Sequence, residues 1–200
     1  VVVRTVDGRL RALAVSDGKE VWTVEDQVPR LSLRGTSPPV RAGDSVVGGF
    51  DSGRVFAVSL ANGETLWQAQ VSTPRGRSEL ERLADVDAAV RVSGGDVYAV
   101  GYQGRITMMA LDSGQIWWAR DVSSYRGLDL DGDQLYVSTS DGEVIAMRRR
   151  DGSVIWQQQG LKRRGLSTPA IHAGTVIVEW LNVTGGLDVV MQPLARELEA

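Results

Sequence analysis

Three aspartates on alternate positions, Asp129, Asp131 and Asp133, have the spacing in this chain that most resembles metal chemistry. A calcium-binding loop begins with such a series, but it also needs glycine at its sixth position and glutamate at its twelfth. Here the glycine, Gly132, stands at the fourth position, and the twelfth residue is Ser140. The pattern therefore predicts a β-hairpin and no metal site.

Residues suited to catalysis are few. The chain has no cysteine and 1 histidine, His172, which alternates with Ile171 ahead of a turn and is interpreted as structural. A nucleophile needs an adjacent base, and general acid–base catalysis needs a positioned titratable pair. No Ser/His/Asp set and no carboxylate pair can be assigned to these tasks. The sequence predicts no catalytic site and no bound cofactor.

The composition is that of a globular domain, with 42% hydrophobic and 24% charged residues among 200. The net charge of −3 argues against nucleic acid as a partner, because that partner requires a broad basic surface. The short basic runs 148–150 and 162–164 are interpreted as solvated turns. We expect no transmembrane segment, since no apolar run approaches the required length, and we also expect no signal peptide.

A repeat of glycine and tryptophan in the sequence shows which strands and turns position these residues. Four times a tryptophan lies 14 residues after one glycine and 4 after a second. The sets are Gly8, Gly18 and Trp22; Gly53, Gly63 and Trp67; Gly104, Gly114 and Trp118; and Gly142, Gly152 and Trp156. The tryptophans are 45, 51 and 38 residues apart, which is typical of propeller blades. A small residue, Ala12, Ala57 or Ala146, precedes the second glycine by 6 positions, and Met108 replaces it in the third copy.

Each copy reads as three short strands joined by glycine turns and preceded by a further extended segment. The expected fold is therefore all-β, a β-propeller of four-stranded antiparallel blades, with each tryptophan ring stacked over a turn of the neighbouring blade. Core tryptophans in an unrelated β-sandwich are the alternative. Residues 1–200 form a partial propeller in this interpretation, with four blades ending near the motif tryptophans. A degenerate fifth blade follows at 166–192, where about eight residues are missing after Val178 by comparison with the other copies.

Two linkers depart from the repeat, and the first spans residues 28–39. Leu31 and Leu33 alternate in it beside Arg34, where a plain linker would be polar. Apolar side chains next to an arginine are typical of a protein-binding hot spot. The alternative is that both leucines pack beneath a blade.

The second linker spans residues 72–87. Ser78 and Glu81 have capping-box spacing, which predicts a short helix from Glu79. Leu80 and Leu83 would share one face of that helix.

Asp85 and Asp87 follow the expected helix, and both lie on one side if the chain there is extended. They could pair with a basic partner, or with Arg34 if the two linkers are adjacent. A solvated acidic loop is the alternative.

The repeat resembles the quinoprotein-type β-propeller repeat, which occurs in quinone-dependent dehydrogenases and in non-catalytic scaffold lipoproteins. The linker sequences LSLRGTSPPV (31–40) and SELERLADVD (78–87) resemble signature loops of the BamB family, the outer-membrane assembly lipoproteins of Gram-negative bacteria. The resemblance extends from Val3 to about Gln192. The chain departs from the family in three ways. It lacks the lipidated N-terminal cysteine, it covers about half the blades, and it has the break near Val178.

This resemblance implies an eight-bladed propeller that a lipid anchor tethers to the periplasmic face of the outer membrane. It implies binding to the POTRA domains of the β-barrel assembly protein BamA, and it leaves open whether unfolded outer-membrane proteins also bind. The family's partner-binding residues match Leu31, Leu33, Arg34, Asp85 and Asp87. A quinone (PQQ)-dependent dehydrogenase is the alternative function, but no residue here can be assigned as a ligand of its Ca²⁺ or as its catalytic carboxylate.

Overall fold

The computed structural model of the chain describes residues 1–33, 35–73, 77–78, 83–181 and 187–193. Within these ranges every regular element is a β-strand, so the predicted all-β class is confirmed. No helix in the described part is long and apolar enough to cross a bilayer. The chain divides into two compact units, Val1–Gly127 (unit 1) and Leu128–Ala200 (unit 2). The helix expected from Glu79 lies outside the described residues.

Unit 1 contains three antiparallel sheets in which consecutive strands are neighbours. The first sheet comprises β1 (Val2–Arg4), β2 (Arg9–Leu13) and β3 (Glu20–Glu25). The second comprises β4 (Val40–Ala42), β5 (Ser45–Gly49), β6 (Arg54–Ser59) and β7 (Thr65–Gln70). The third comprises β8 (Arg91–Ser93), β9 (Asp96–Val100), β10 (Ile106–Ala110) and β11 (Ile116–Arg120).

Unit 2 contains two further antiparallel sheets. The fourth sheet comprises β12 (Leu128–Asp131), β13 (Gln134–Ser138), β14 (Val144–Arg148) and β15 (Val154–Gln158). The fifth comprises β16 (Ala170–His172), β17 (Thr175–Leu181) and β18 (Leu187–Pro193). The hairpin predicted at Asp129–Asp133 is confirmed as β12 and β13. The expected break near Val178 does not interrupt a strand, because β17 runs through it and pairs with β18 along its whole length.

The strand register shows where the residue six positions before the second glycine of each repeat lies. It lies directly across the sheet from the motif tryptophan, in the pairs Ala12–Trp22, Ala57–Trp67, Met108–Trp118 and Ala146–Trp156. A β-bulge follows each pair at the next residue. A bulge increases the local twist of a strand and re-aims its side chains. The repeat therefore specifies the same strand geometry and the same position of the tryptophan ring in each sheet.

The motif tryptophans join neighbouring sheets of unit 1, as the repeat predicted. Trp22 Nε1 donates a hydrogen bond to the Leu60 carbonyl at 3.1 Å, and Trp67 Nε1 donates to the Leu111 carbonyl at 2.7 Å. Each ring also lies against the turn glycine of the next sheet, Gly63 or Gly114. Each tryptophan thus closes its own sheet and holds the next one in place.

The second sheet is covered on both faces. Val46 of β5 packs with Leu10 and Trp22 of the first sheet, whereas its neighbour Val47 packs with Val97 of the third. Successive side chains of a strand point to opposite faces, so a sheet buried on both sides has continuous apolar strands. β5 and β6 have this pattern, which is expected of a sheet stacked between two others.

The connections of the second and third sheets lie at two opposite ends, because their strands are antiparallel. The turns 43–44, 60–64, 94–95 and 111–115 share one end, here called the turn end. The described residues of 26–39 and 71–90 share the other end with residues 50–53, and this end is here called the loop end. Both predicted binding linkers therefore lie at the loop end.

Candidate partner-binding site

The two linkers are adjacent, which the sequence had left conditional. The Leu33 N–H donates a hydrogen bond to Asp85 Oδ2. Ser37 Oγ donates to the Ala88 carbonyl at 2.8 Å and accepts from Gly49 N–H at 3.4 Å. The first linker is therefore tied to the second on both sides of Arg34, which itself lies outside the described residues.

Gly35 allows the closest approach between the linkers. A Cβ atom added at this position would collide with the Asp87 side chain. Only glycine lets the backbone pass so near a neighbouring side chain without displacing it. Gly35 therefore supports the site although no charge or apolar pattern distinguishes it in the sequence.

Leu31 and Leu33 are each 41% exposed, so neither is packed beneath a sheet. Val28, at the start of the same linker, is exposed to a similar extent. Leu83 differs, because it is buried in unit 1, and its expected partner Leu80 lies outside the described residues. The loop end thus presents three exposed apolar side chains, Val28, Leu31 and Leu33, on a linker held by hydrogen bonds.

Asp85 is 0% exposed and belongs to a buried charged cluster. Arg4 Nη2 and Asp51 Oδ1 form an ion pair at 3.2 Å, with side chains only 2% and 3% exposed. The guanidinium of Arg4 also lies 4.5 Å from the centre of the Phe50 ring. Asp51, Asp85 and Asp87 repel one another in this cluster, and the charge of Arg4 acts against this repulsion at Asp51 and at Asp87.

The carboxyl groups of the cluster have pKa values raised above the ordinary value of aspartate. Burial and, to a smaller extent, the Asp51 charge raise the pKa of Asp85 to about 6, although the hydrogen bond from the Leu33 N–H lowers it. Burial, together with Asp85 and Asp51, raises the pKa of Asp87 to about 7. Burial also raises the pKa of Asp51, although Arg4 opposes this. The cluster is therefore sensitive to pH.

We predict that the free energy of unfolding of unit 1 falls as pH rises from about 4 to about 7. The folded state binds more protons than the unfolded chain in this window, because an unfolded aspartate ionises near pH 3.9. The expected decrease is on the order of 5 kcal/mol, because a difference of one pKa unit corresponds to about 1.4 kcal/mol. Urea titrations at several pH values measure it. An Asp85→Asn/Asp87→Asn variant should show a flatter profile, and an equally steep one would contradict this assignment.

In the described ranges, no group of three or more His, Cys, Asp or Glu side chains is arranged to hold a metal ion.

The model of one protein family, described as outer membrane protein assembly factor BamB, matches residues 1–158.

The chain belongs to the BamB family.

BamB of Yersinia pestis is 37% identical over 199 residues, which cover 96% of this chain and 51% of that protein. The chain therefore spans about half the length of the curated relatives that it matches. The crystal structure of BamB from Moraxella catarrhalis matches with a TM-score of 0.85 at 28% identity, over 96% of this chain and 60% of that one. This likeness confirms the predicted β-propeller class.

Quinohemoprotein alcohol dehydrogenase from Comamonas testosteroni also matches in structure, with a TM-score of 0.71 over 98% of this chain and 41% of that one. The sequence identity is 15%, so the match shows a shared fold and says nothing of shared chemistry.

Proposed function

We propose that this chain is part of a non-catalytic scaffold subunit of the outer-membrane β-barrel assembly machinery, acting at the periplasmic face of that membrane. In this proposal it binds the POTRA domains of BamA through the loop end. Membership of the BamB family supports the assembly role. The observation that carries the binding site is the pair of half-exposed leucines, Leu31 and Leu33, on a linker held in place by Asp85.

Leu31 and Leu33 supply the affinity in this mechanism. Burying a whole leucine side chain contributes about 1.5–3 kcal/mol, and less than half of each side chain remains to be covered, so each contributes about 1 kcal/mol. The hydrogen bonds from Leu33 and Ser37 hold the linker before the partner arrives. A pre-ordered linker loses little entropy on binding, which strengthens association further.

The two aspartates have different tasks in this proposal. Asp85 is fully buried and accepts the Leu33 N–H, so it positions Leu33 from inside the protein. Asp87 is partly exposed and is the carboxylate that can face a basic group on the partner. Arg34, which directly follows Leu33 in the sequence, is the remaining residue of the proposed binding site.

Calorimetric titration of the chain with purified BamA POTRA domains tests the site. We expect Leu31→Ala/Leu33→Ala to weaken binding by roughly ten- to thirtyfold, as hot-spot residues do. Leu66→Ala is the matched control, because Leu66 is an exposed leucine at the turn end. Equal losses for both variants, or a loss for Leu66→Ala alone, would place the interface elsewhere.

The positioning task of Asp85 has its own test in the same titration. Asp85→Asn keeps an oxygen that can accept the Leu33 N–H, whereas Asp85→Ala removes it. We therefore expect Asp85→Ala to weaken POTRA binding by about tenfold and Asp85→Asn to recover most of that loss. Equal losses in the two variants would mean that the charge of Asp85, and not its hydrogen bond to the Leu33 N–H, supports binding.

A further inference from the structure

A groove between the second and third sheets opens at the turn end of unit 1, away from the binding linkers. Its volume is about 610 Å³, within the range of roughly 300–1,000 Å³ that is typical of ligand-binding clefts. The residues that give it its character are Leu66, Trp117, Asp44, Asp96 and Asp112. It is distinct from the loop end, because the strands of both sheets separate the two.

The apolar part of the groove is exposed to solvent. Leu66 is 53% and Trp117 is 55% accessible to solvent. Trp117 directly precedes the motif residue Trp118, and the other repeats have Val21, Leu66 or Ile155 at its position. The blade scaffold therefore does not require an indole here. Tryptophan is among the residues most enriched at the centres of protein interfaces.

The rim of the groove is acidic. Asp44 lies in the first turn of the second sheet, Asp96 directly follows the first turn of the third, and Asp112 lies in the last turn of the third. In the described part of the chain none of these three carboxylates forms an ion pair.

Among the four repeats, only the third has an acidic residue at the position of Asp112. The corresponding residues of the other repeats are Ser16, Ala61 and Arg150. The turn conformation therefore does not demand an acid at this position. Uncompensated carboxylates beside an exposed aromatic face form an environment for a cationic group.

We propose that this groove binds an extended polypeptide segment that carries arginine or lysine beside an aliphatic residue. The cationic group packs on the face of Trp117 and pairs with Asp96 and Asp112 at the rim. The aliphatic residue covers Leu66. Charge complementarity selects a basic segment over an acidic one, and the site does not depend on the POTRA-binding linkers.

Fluorescence anisotropy with a labelled peptide, Gly-Arg-Ser-Leu-Ser-Arg-Gly, tests this proposal on the full chain. Its alternating pattern puts both arginines and the leucine on one face of an extended segment. We expect saturable binding that weakens as salt is added, and binding at least about tenfold weaker for the same peptide with glutamate in place of arginine.

Variants of the groove sharpen the test. Asp96→Asn/Asp112→Asn should weaken binding about fivefold, and Trp117→Leu about two- to fivefold. Asp133→Asn is the matched control and should leave the affinity unchanged, because Asp133 has in the fourth repeat the position that Asp44 of the rim has in the second, and it does not line the groove. All the replaced side chains are exposed or partly exposed, so the fold should persist. Circular dichroism of each variant checks this.

Three results would overturn the proposal. The first is no saturation with the arginine peptide up to about 1 mM. The second is equal affinity of the groove variants and the unaltered chain. The third is self-association of the unaltered chain in sedimentation that the groove variants abolish, since the groove would then receive a second copy of this protein. Because Leu31→Ala/Leu33→Ala leaves the turn end intact, failure of POTRA binding does not affect the peptide result.

Discussion

Replacing Arg4 with methionine is expected to destabilise unit 1 by about 3–5 kcal/mol at pH 7.5. Arg4 is buried, pairs with Asp51 and lies over the Phe50 ring. Its removal leaves the Asp51 carboxylate without its ion-pair partner and takes away the charge that favours the ionised forms of Asp51 and Asp87. A buried charge that loses its partner costs far more than the pair itself contributes. Urea denaturation of the variant and the unaltered chain measures the difference.

Two further measurements separate this electrostatic effect from lost packing. Adding Asp51→Asn to Arg4→Met should recover much of the stability, because the unpaired charge is removed as well. Lowering the pH to 5 should also reduce the penalty, since burial raises the pKa of Asp85 to about 6 and that of Asp87 to about 7. A loss below about 1 kcal/mol, or one that does not change with pH, would contradict this account of Arg4.

Much of the fold could be predicted because its signal is local and repeated. Turn glycines and a tryptophan at fixed spacing define hairpins, and several copies exclude coincidence. The packing of Trp22 on the turn at Gly63 followed from the same spacing. What spacing could not supply is the division of the chain into two compact units, because that depends on contacts between distant residues.

The candidate site was predictable only in part. Departure from the repeat identified both linkers, and the exposure of Leu31 and Leu33 agrees with a contact surface. The burial of Asp85 was not predictable from its linker, because it depends on residues elsewhere in unit 1.

A signal for the buried cluster does exist in the sequence. Arg4 has the position that Gly49, Val100 and Ser138 hold in the other repeats, which puts a charge where the scaffold is small or apolar. A residue that breaks the repeat inside a strand deserves the same scrutiny as an inserted loop, because burial of a charge requires a partner. Here that partner is Asp51.

The contact between sheets leads to the second large expected effect. Gly114→Ala should destabilise unit 1 by about 2–4 kcal/mol, of which about 1 kcal/mol is backbone strain at positive φ. Gly114 has φ 69°, and a Cβ atom there would lie 2.5 Å from the Trp67 ring. The ring is held by its hydrogen bond to the Leu111 carbonyl and by the core around it, so it cannot withdraw without cost.

Gly18→Ala is the matched control for this effect. Gly18 has the same position in the first repeat and φ 71°, but a Cβ atom there would meet nothing within 4 Å. This variant should therefore show only the strain of about 1 kcal/mol. In a Trp67→Leu background the extra loss from Gly114→Ala should largely disappear, which a double-mutant cycle of unfolding free energies measures. If the two glycine variants lose equal stability, the ring does not press on the turn, and the joint between neighbouring sheets must rest on other contacts.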